Sequence, residues 1–154
     1  MSAGLRERLR TARQRARAES AAPPAIELNE QFARALDLME HGGGHLFVTG
    51  RAGTGKSTLL EYFRARTNKN VAVLAPTGVA AVNVRGQTIH SFFNFRPDVT
   101  PEAVRRISPK PDRRKLYGKL DAILIDESSM LRADLLDCVD AFLRLHGRVK
   151  GSPF

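Results

Sequence analysis

Gly50-Arg51-Ala52-Gly53-Thr54-Gly55-Lys56-Ser57 fits the pattern G-x-x-x-x-G-K-[ST], and it follows directly on the apolar run His45-Leu46-Phe47-Val48-Thr49. Glycines let such a loop wind tightly enough to turn its backbone N–H groups inward onto phosphate oxygens. Lys56 adds a charge for the terminal phosphates and Ser57 a hydroxyl for a magnesium ion. The helix expected next, with Leu59, Leu60 and Phe63 on its buried side, adds a positive N-terminal dipole. A first strand over residues 45–49, then loop, then helix, reads as a nucleotide-binding unit. The plain alternative is a glycine-rich turn without a ligand.

Working outward, the pattern repeats its alternation. Upstream, Asn29 is placed to cap a helix carrying Phe32, Leu36 and Met39 on one face, and Gly42-Gly43-Gly44 stops it. Downstream, Val71-Ala72-Val73-Leu74-Ala75 is a continuous apolar run of the kind buried on both faces of a parallel sheet, ended by Pro76-Thr77-Gly78. Ala122-Ile123-Leu124-Ile125 is a third strand, followed by Leu131, Leu135, Val139 and Phe142 at helical spacing. Strand and helix in alternation predict an α/β fold with a parallel sheet.

The 154 residues, 42% hydrophobic and 27% charged, are enough for one core and place the chain among globular proteins. No apolar run approaches the ~20 residues of a membrane-spanning helix. The single Cys138 excludes a disulfide framework and fits a reducing, intracellular compartment; its apolar helical setting reads as a small buried hydrophobe. The net charge of +9 is uneven. Residues 1–20 carry six basic and two acidic groups, and residues 96–120 carry eight and three, whereas residues 121–154 carry more acid than base. Residues 1–24, closed by Ala21-Ala22-Pro23-Pro24, read as a basic tail and linker; an organellar transit peptide is the competing reading, interrupted by Glu7 and Glu19.

Asp126-Glu127 ends the third strand. In a chain with a phosphate loop, the first acid can reach magnesium and the second can orient and deprotonate an attacking water. That immediate glutamate favours hydrolysis over transfer to a small acceptor. Ala75-Pro76-Thr77-Gly78-Val79-Ala80-Ala81 and Gly86-Gln87-Thr88-Ile89-His90-Ser91-Phe92-Phe93 offer small, hydroxyl and aromatic residues for a phosphodiester and its bases. By composition alone, Phe92 and Phe93 read as core and His90 as a satisfied histidine.

The order of four blocks, GRAGTGKS, APTGVAA, GQTIHSFF and ILIDESSM, resembles the front of the first RecA-like motor domain of the Pif-type (petite integration frequency) DNA helicases, in the RecD-like branch of superfamily one. The resemblance covers residues 28–154. It implies an ATP-dependent helicase that uses magnesium and moves on single-stranded DNA, with roles in DNA repair, recombination or genome maintenance. It implies an intracellular site of action, cytoplasmic in a bacterium and nuclear or mitochondrial in a eukaryote.

Residue by residue, Gln31 matches the family's adenine-reading glutamine. Gly50, Gly53, Thr54, Gly55, Lys56, Ser57 and Thr58 match its phosphate and magnesium site, with Lys56 also counted as catalytic. Asp126 matches its metal-linked acid and Glu127 its catalytic base. Thr77, Gly78, His90, Ser91 and Phe92 fall in its strand-tracking motifs. The basic stretch 96–120, with Arg105, Arg106, Arg113 and Arg114, occupies a variable connection and joins the nucleic-acid candidates. Family members continue into a G-D-x-x-Q-L-P-P block and a second RecA-like lobe with an arginine finger. Neither motif is present here, so residues 25–154 are expected to be part of a motor domain. A non-catalytic nucleotide-dependent nucleic-acid-binding module and another P-loop ATPase, such as a helicase loader, remain open alternatives.

Overall fold

The middle of the sheet is β1, Val71–Ala75, whose last four residues are all buried, as a strand covered on both faces requires. It pairs in parallel with β2, Gln87–Thr88, and with β3, Ala122–Ile125, giving the order β2-β1-β3. Leu74 lies opposite both Gln87 and Ile125, which fixes the register on either side. The computed structural model describes residues 29–153; the expected tail and linker at 1–24 lie outside them. The chain divides after Arg66 into two compact units.

The first unit holds α1, Glu30–His41, and α2, Lys56–Arg66. Asn29 caps α1 as its sequence predicts, its Oδ1 accepting from the Phe32 N–H at 2.8 Å. Gly42 ends the helix, its N–H donating to the Leu38 carbonyl at 2.8 Å. Helix α2 buries Leu59, Tyr62 and Phe63, with the Arg66 guanidinium 4.2 Å from the centre of the Tyr62 ring.

One expectation fails here. Residues 45–49 are not a strand, and Phe47 is 77% exposed. A strand exists only through a ladder with a neighbour, and no described residue pairs with this segment, so its apolar pattern has nothing to close against.

In the second unit, parallel strands require crossovers, and short capped helices supply them. Helix α3, Gly78–Asn83, follows β1; α4, Ile89–Phe93, follows β2. The basic stretch, which the sequence leaves without elements, contains α5, Pro101–Val104, and α6, Pro111–Tyr117, each begun by a proline whose missing N–H costs a helix start nothing. Helix α7, Ala133–His146, buries Leu135, Cys138, Val139, Phe142 and Leu143.

The core that positions all of this is aromatic. Phe142 is 0% exposed and meets Phe93, Phe95 and Tyr117 at ring-centre distances of 4.9–5.6 Å. Burying each such ring contributes roughly 1.5–3 kcal/mol, and each well-placed ring pair about 0.5–1.5 kcal/mol more.

Candidate functional site

The phosphate loop has the backbone its glycines allow. Gly53 and Gly55 sit at φ +77° and +84°, the left-handed region in which a Cβ is penalised. A Cβ on Gly55 would also press the Phe32 ring at 3.2 Å, and one on Gly50 would meet Thr54 Oγ1 at 2.8 Å. Thr54 Oγ1 donates to the Arg51 carbonyl at 2.8 Å and tightens the turn.

Lys56 folds back over the loop, its Nζ donating to the carbonyls of Gly50 at 2.8 Å and Arg51 at 3.0 Å. Helix α2 starts at Lys56, and its ladder opens with the Leu59 N–H on the Gly55 carbonyl at 2.8 Å. The N–H groups of Lys56, Ser57 and Thr58 therefore precede the ladder and point out of the helix start, where the dipole is positive. No carboxylate lies in the first turn of α2 to compete for them. Glycine-shaped backbone, free amides, one ammonium and the exposed Ser57 hydroxyl are the donor set a nucleotide phosphate with magnesium fits. Gln31, on α1 of the same unit, is exposed.

In the second unit, the register brings the other motifs to one edge. β1, β2 and β3 run parallel, so the residues after each strand emerge on the same side of the sheet, the side where open α/β sheets bind ligands. Thr77 and Gly78 follow β1, His90 and Ser91 follow β2, and Asp126 and Glu127 follow β3.

Thr77 and Thr88 are both helix caps, accepting from Ala80 N–H at 3.3 Å and Ser91 N–H at 3.1 Å. Gly78 and Ser91 are exposed and His90 is half-buried.

Asp126 extends the ladder by donating its N–H to the Leu74 carbonyl at 3.0 Å, while its Oδ1 accepts the Glu127 N–H at 2.9 Å. Glu127 is left-handed at φ 51°, ψ 42°, and its carbonyl starts the 3-10 turn Ser128–Met130. That conformation costs a residue with a Cβ roughly 1–2 kcal/mol and turns the exposed Glu127 carboxylate out of the strand line. Among the described residues no group of three His, Cys, Asp or Glu side chains could hold a metal ion. Magnesium, which keeps waters and takes one or two carboxylates plus phosphate oxygens, does not need such a group.

Two sequence expectations divide on Phe92. The resemblance makes it a strand-tracking residue, but its ring is 5% exposed, edge-on to Phe93 at 4.9 Å and to Tyr117 at 5.6 Å. A ring this deeply buried cannot present a face to a base, so Phe92 belongs to the core, as its composition suggests. Arg105, Arg106, Arg113 and Arg114 are exposed.

Sequence reading missed Tyr117, whose hydroxyl donates to the Phe92 carbonyl at 2.8 Å. It also missed Asp121, whose carboxylate accepts the Asn70 N–H and Nδ2, each at 2.9 Å, and pairs with Arg148. Those N–H bonds hold its carboxyl below the usual aspartate range. Thr77 and Thr88, each three residues before the amide it accepts, were legible as caps. Cys138 is fully buried and burial pushes its thiol up, which agrees with a packing role.

The PIF1-like helicase family model matches residues 27–152. The chain belongs to the PIF1-like helicase family. It is 37% identical over 128 residues to the ATP-dependent DNA helicase PIF1 of Emericella nidulans, covering 77% of this chain and 17% of that protein. It is 42% identical over 129 residues to the PIF1 helicase of Saccharomyces cerevisiae, covering 77% and 15%. The crystal structure of a Bacteroides Pif1 helicase in complex with ADP-AlF3 and ssDNA superposes with a TM-score of 0.73 at 37% identity, over 83% of this chain and 30% of that one. The chain thus spans less than a third of the length of these relatives. Its parallel sheet with flanking helices is part of the RecA-like PIF1-family fold.

Proposed function

We propose that this chain binds ATP with magnesium and contributes part of the first RecA-like motor domain, residues 25–154, to a helicase that couples ATP hydrolysis to movement along single-stranded DNA. The observation that carries the reading is the loop 50–57: two left-handed glycines, a lysine hooked over their turn, and an 11-residue helix whose free amides begin there. The nucleotide complex and ssDNA complex of the similar Bacteroides helicase support it.

In this reading Lys56 leaves the Gly50 and Arg51 carbonyls to meet the terminal phosphates, and the amides of residues 53–58 cradle the rest. Gln31 reads the adenine. Ser57 would offer its hydroxyl to magnesium, Asp126 is the acid the family resemblance links to the metal, and the ion when bound would neutralise charge developing on the phosphates. Glu127 accepts a proton from the attacking water, its carboxylate free because the Asp126 side chain, not its own, holds its N–H. Thr77, Gly78, His90 and Ser91, at the carboxyl edge, follow the DNA backbone through hydroxyl, amide and imidazole donors.

Isothermal titration of magnesium–ATP tests the site. Binding by the wild type that weakens at least tenfold in Lys56→Ala supports it, and equal affinity in both overturns it.

A further inference from the structure

Between Arg105 and Lys119 the chain carries seven Lys or Arg residues and one carboxylate, Asp112. All seven cations are exposed. Elsewhere in the same unit Arg96, Arg132, Arg144 and Arg148 each pair with an aspartate. Among the described residues none of the seven makes an ion pair within the 4.0 Å contact range. The fold pairs four arginines elsewhere in the unit with aspartates, whereas these seven cations share only Asp112 among them and Glu102 at their edge, against the mutual repulsion of the cluster. The Glu102 carboxyl is lowered by hydrogen bonds from its own backbone and Thr100 and, in part, by the Arg105 charge.

The cluster is also one surface. Arg114 Nη2 donates to Ser108 Oγ at 3.2 Å, which ties α6 to the turn that carries Arg105 and Arg106. Arg113 Nη1 reaches the Phe92 carbonyl at 3.5 Å, and the buried Tyr117 hydroxyl takes the same carbonyl at 2.8 Å. Phe92 is the residue after Ser91, so the cations begin where the carboxyl-edge motif after β2 ends.

We propose that α6 and the turn before it form a second nucleic-acid contact, an electrostatic track for the phosphates of single-stranded DNA that continues the path past Ser91. It rests on the helicase reading for the identity of the polyanion and for the strand's path past Ser91. The track holds phosphates without reading bases, since its members are arginines and lysines and, among the described residues of this unit, the Phe and Tyr rings are buried. Arg113 stands at the junction, bonded to the backbone of the motif helix on one side and open to a phosphate on the other.

The test is fluorescence anisotropy of a labelled oligo-dT strand with the full chain across a salt series, beside a duplex and anionic phospholipid vesicles. Each phosphate contact contributes a slope of about 0.7 in log affinity against log salt for single strands. Replacing Arg105, Arg106, Arg114 and Lys115 by Ala should flatten the slope by about 2–3 units, equally for oligo-dT and oligo-dA. Replacing the three arginines by Lys should keep it. The pair R105E/R106E, on an exposed turn, supplies the same readout with a sign reversal should the fourfold variant fold poorly. An unchanged slope in these variants, tighter binding to duplex than to single strand, or binding to vesicles alone, overturns the proposal. A chain that binds magnesium–ATP but shows no salt-dependent DNA affinity overturns this track and leaves the nucleotide site standing.

Discussion

Tyr117 donates its hydroxyl to the carbonyl oxygen of Phe92 at 2.8 Å, joining residues 25 positions apart in the chain and both inside the core. The bond satisfies a carbonyl near the end of α4 that the helix itself cannot, and it seats the segment bearing His90 and Ser91 against the basic helix α6. Burial holds the Tyr117 hydroxyl in its neutral, donating form, pushing its ionisation above the ordinary tyrosine value.

Tyr117→Phe therefore removes one buried hydrogen bond and leaves the ring contacts with Phe92, Phe93 and Phe142 intact. Denaturant unfolding should show a loss of about 1–2 kcal/mol, the cost of a buried bond with one partner removed. No loss would mean that Arg113 alone satisfies the Phe92 carbonyl.

Phe142→Ala opens a cavity among the rings of Phe93, Phe95 and Tyr117 and should cost about 3–5 kcal/mol by the same measurement. A cost below about 1 kcal/mol would show that the neighbouring rings collapse into the space.

The Asp121 carboxyl sits below its ordinary value because it accepts N–H bonds from Asn70. A carboxyl depressed in the folded state stabilises fully above its unfolded value of about 3.9, and that contribution is lost as pH falls through the lower folded value. Asp121→Asn should lower the midpoint of thermal unfolding at pH 7 and flatten the stability profile below about pH 4. Parallel profiles for wild type and variant would place the acid sensitivity elsewhere.

Glu127→Gln should leave ATP affinity within about twofold while abolishing turnover in a full-length helicase carrying this segment, because an amide cannot accept the proton. Turnover above about a tenth of wild type in that variant would assign the base to another group.

How much of this was legible in sequence depended on whether a feature was local. Asn29, Thr77 and Thr88 announce their caps because the amide each accepts is three residues away. The P-loop announces itself because glycine is the answer to a local backbone demand at 53 and 55. Val71–Ala75 and Ala122–Ile125 are continuous apolar runs and both form strands, the first buried at the centre of the sheet and the second partly buried at its side. Residues 45–49 carry the same signal but form no strand, since pairing depends on a neighbour that their own composition does not specify. Phe92 shows the converse: one motif letter serves equally as a base platform or a core ring, and only Tyr117 and Phe93, one of them 25 residues away, decide between them. The bond from Asp121 to Asn70 spans 51 residues and leaves no trace in either neighbourhood.

The left-handed backbone at Glu127 sets two demands against each other at a single position. Glycine would relieve the Cβ clash there and stabilise the chain by up to about 1 kcal/mol, and asparagine would relieve part of it. Neither can take a proton from water. A randomised library of position 127 sorted for folding alone would drift to Gly and Asn, whereas the same library sorted for ATP turnover in a complete helicase would return Glu. The composition at this one codon after sorting would thus report which pressure had acted, folding or chemistry, without any kinetic measurement.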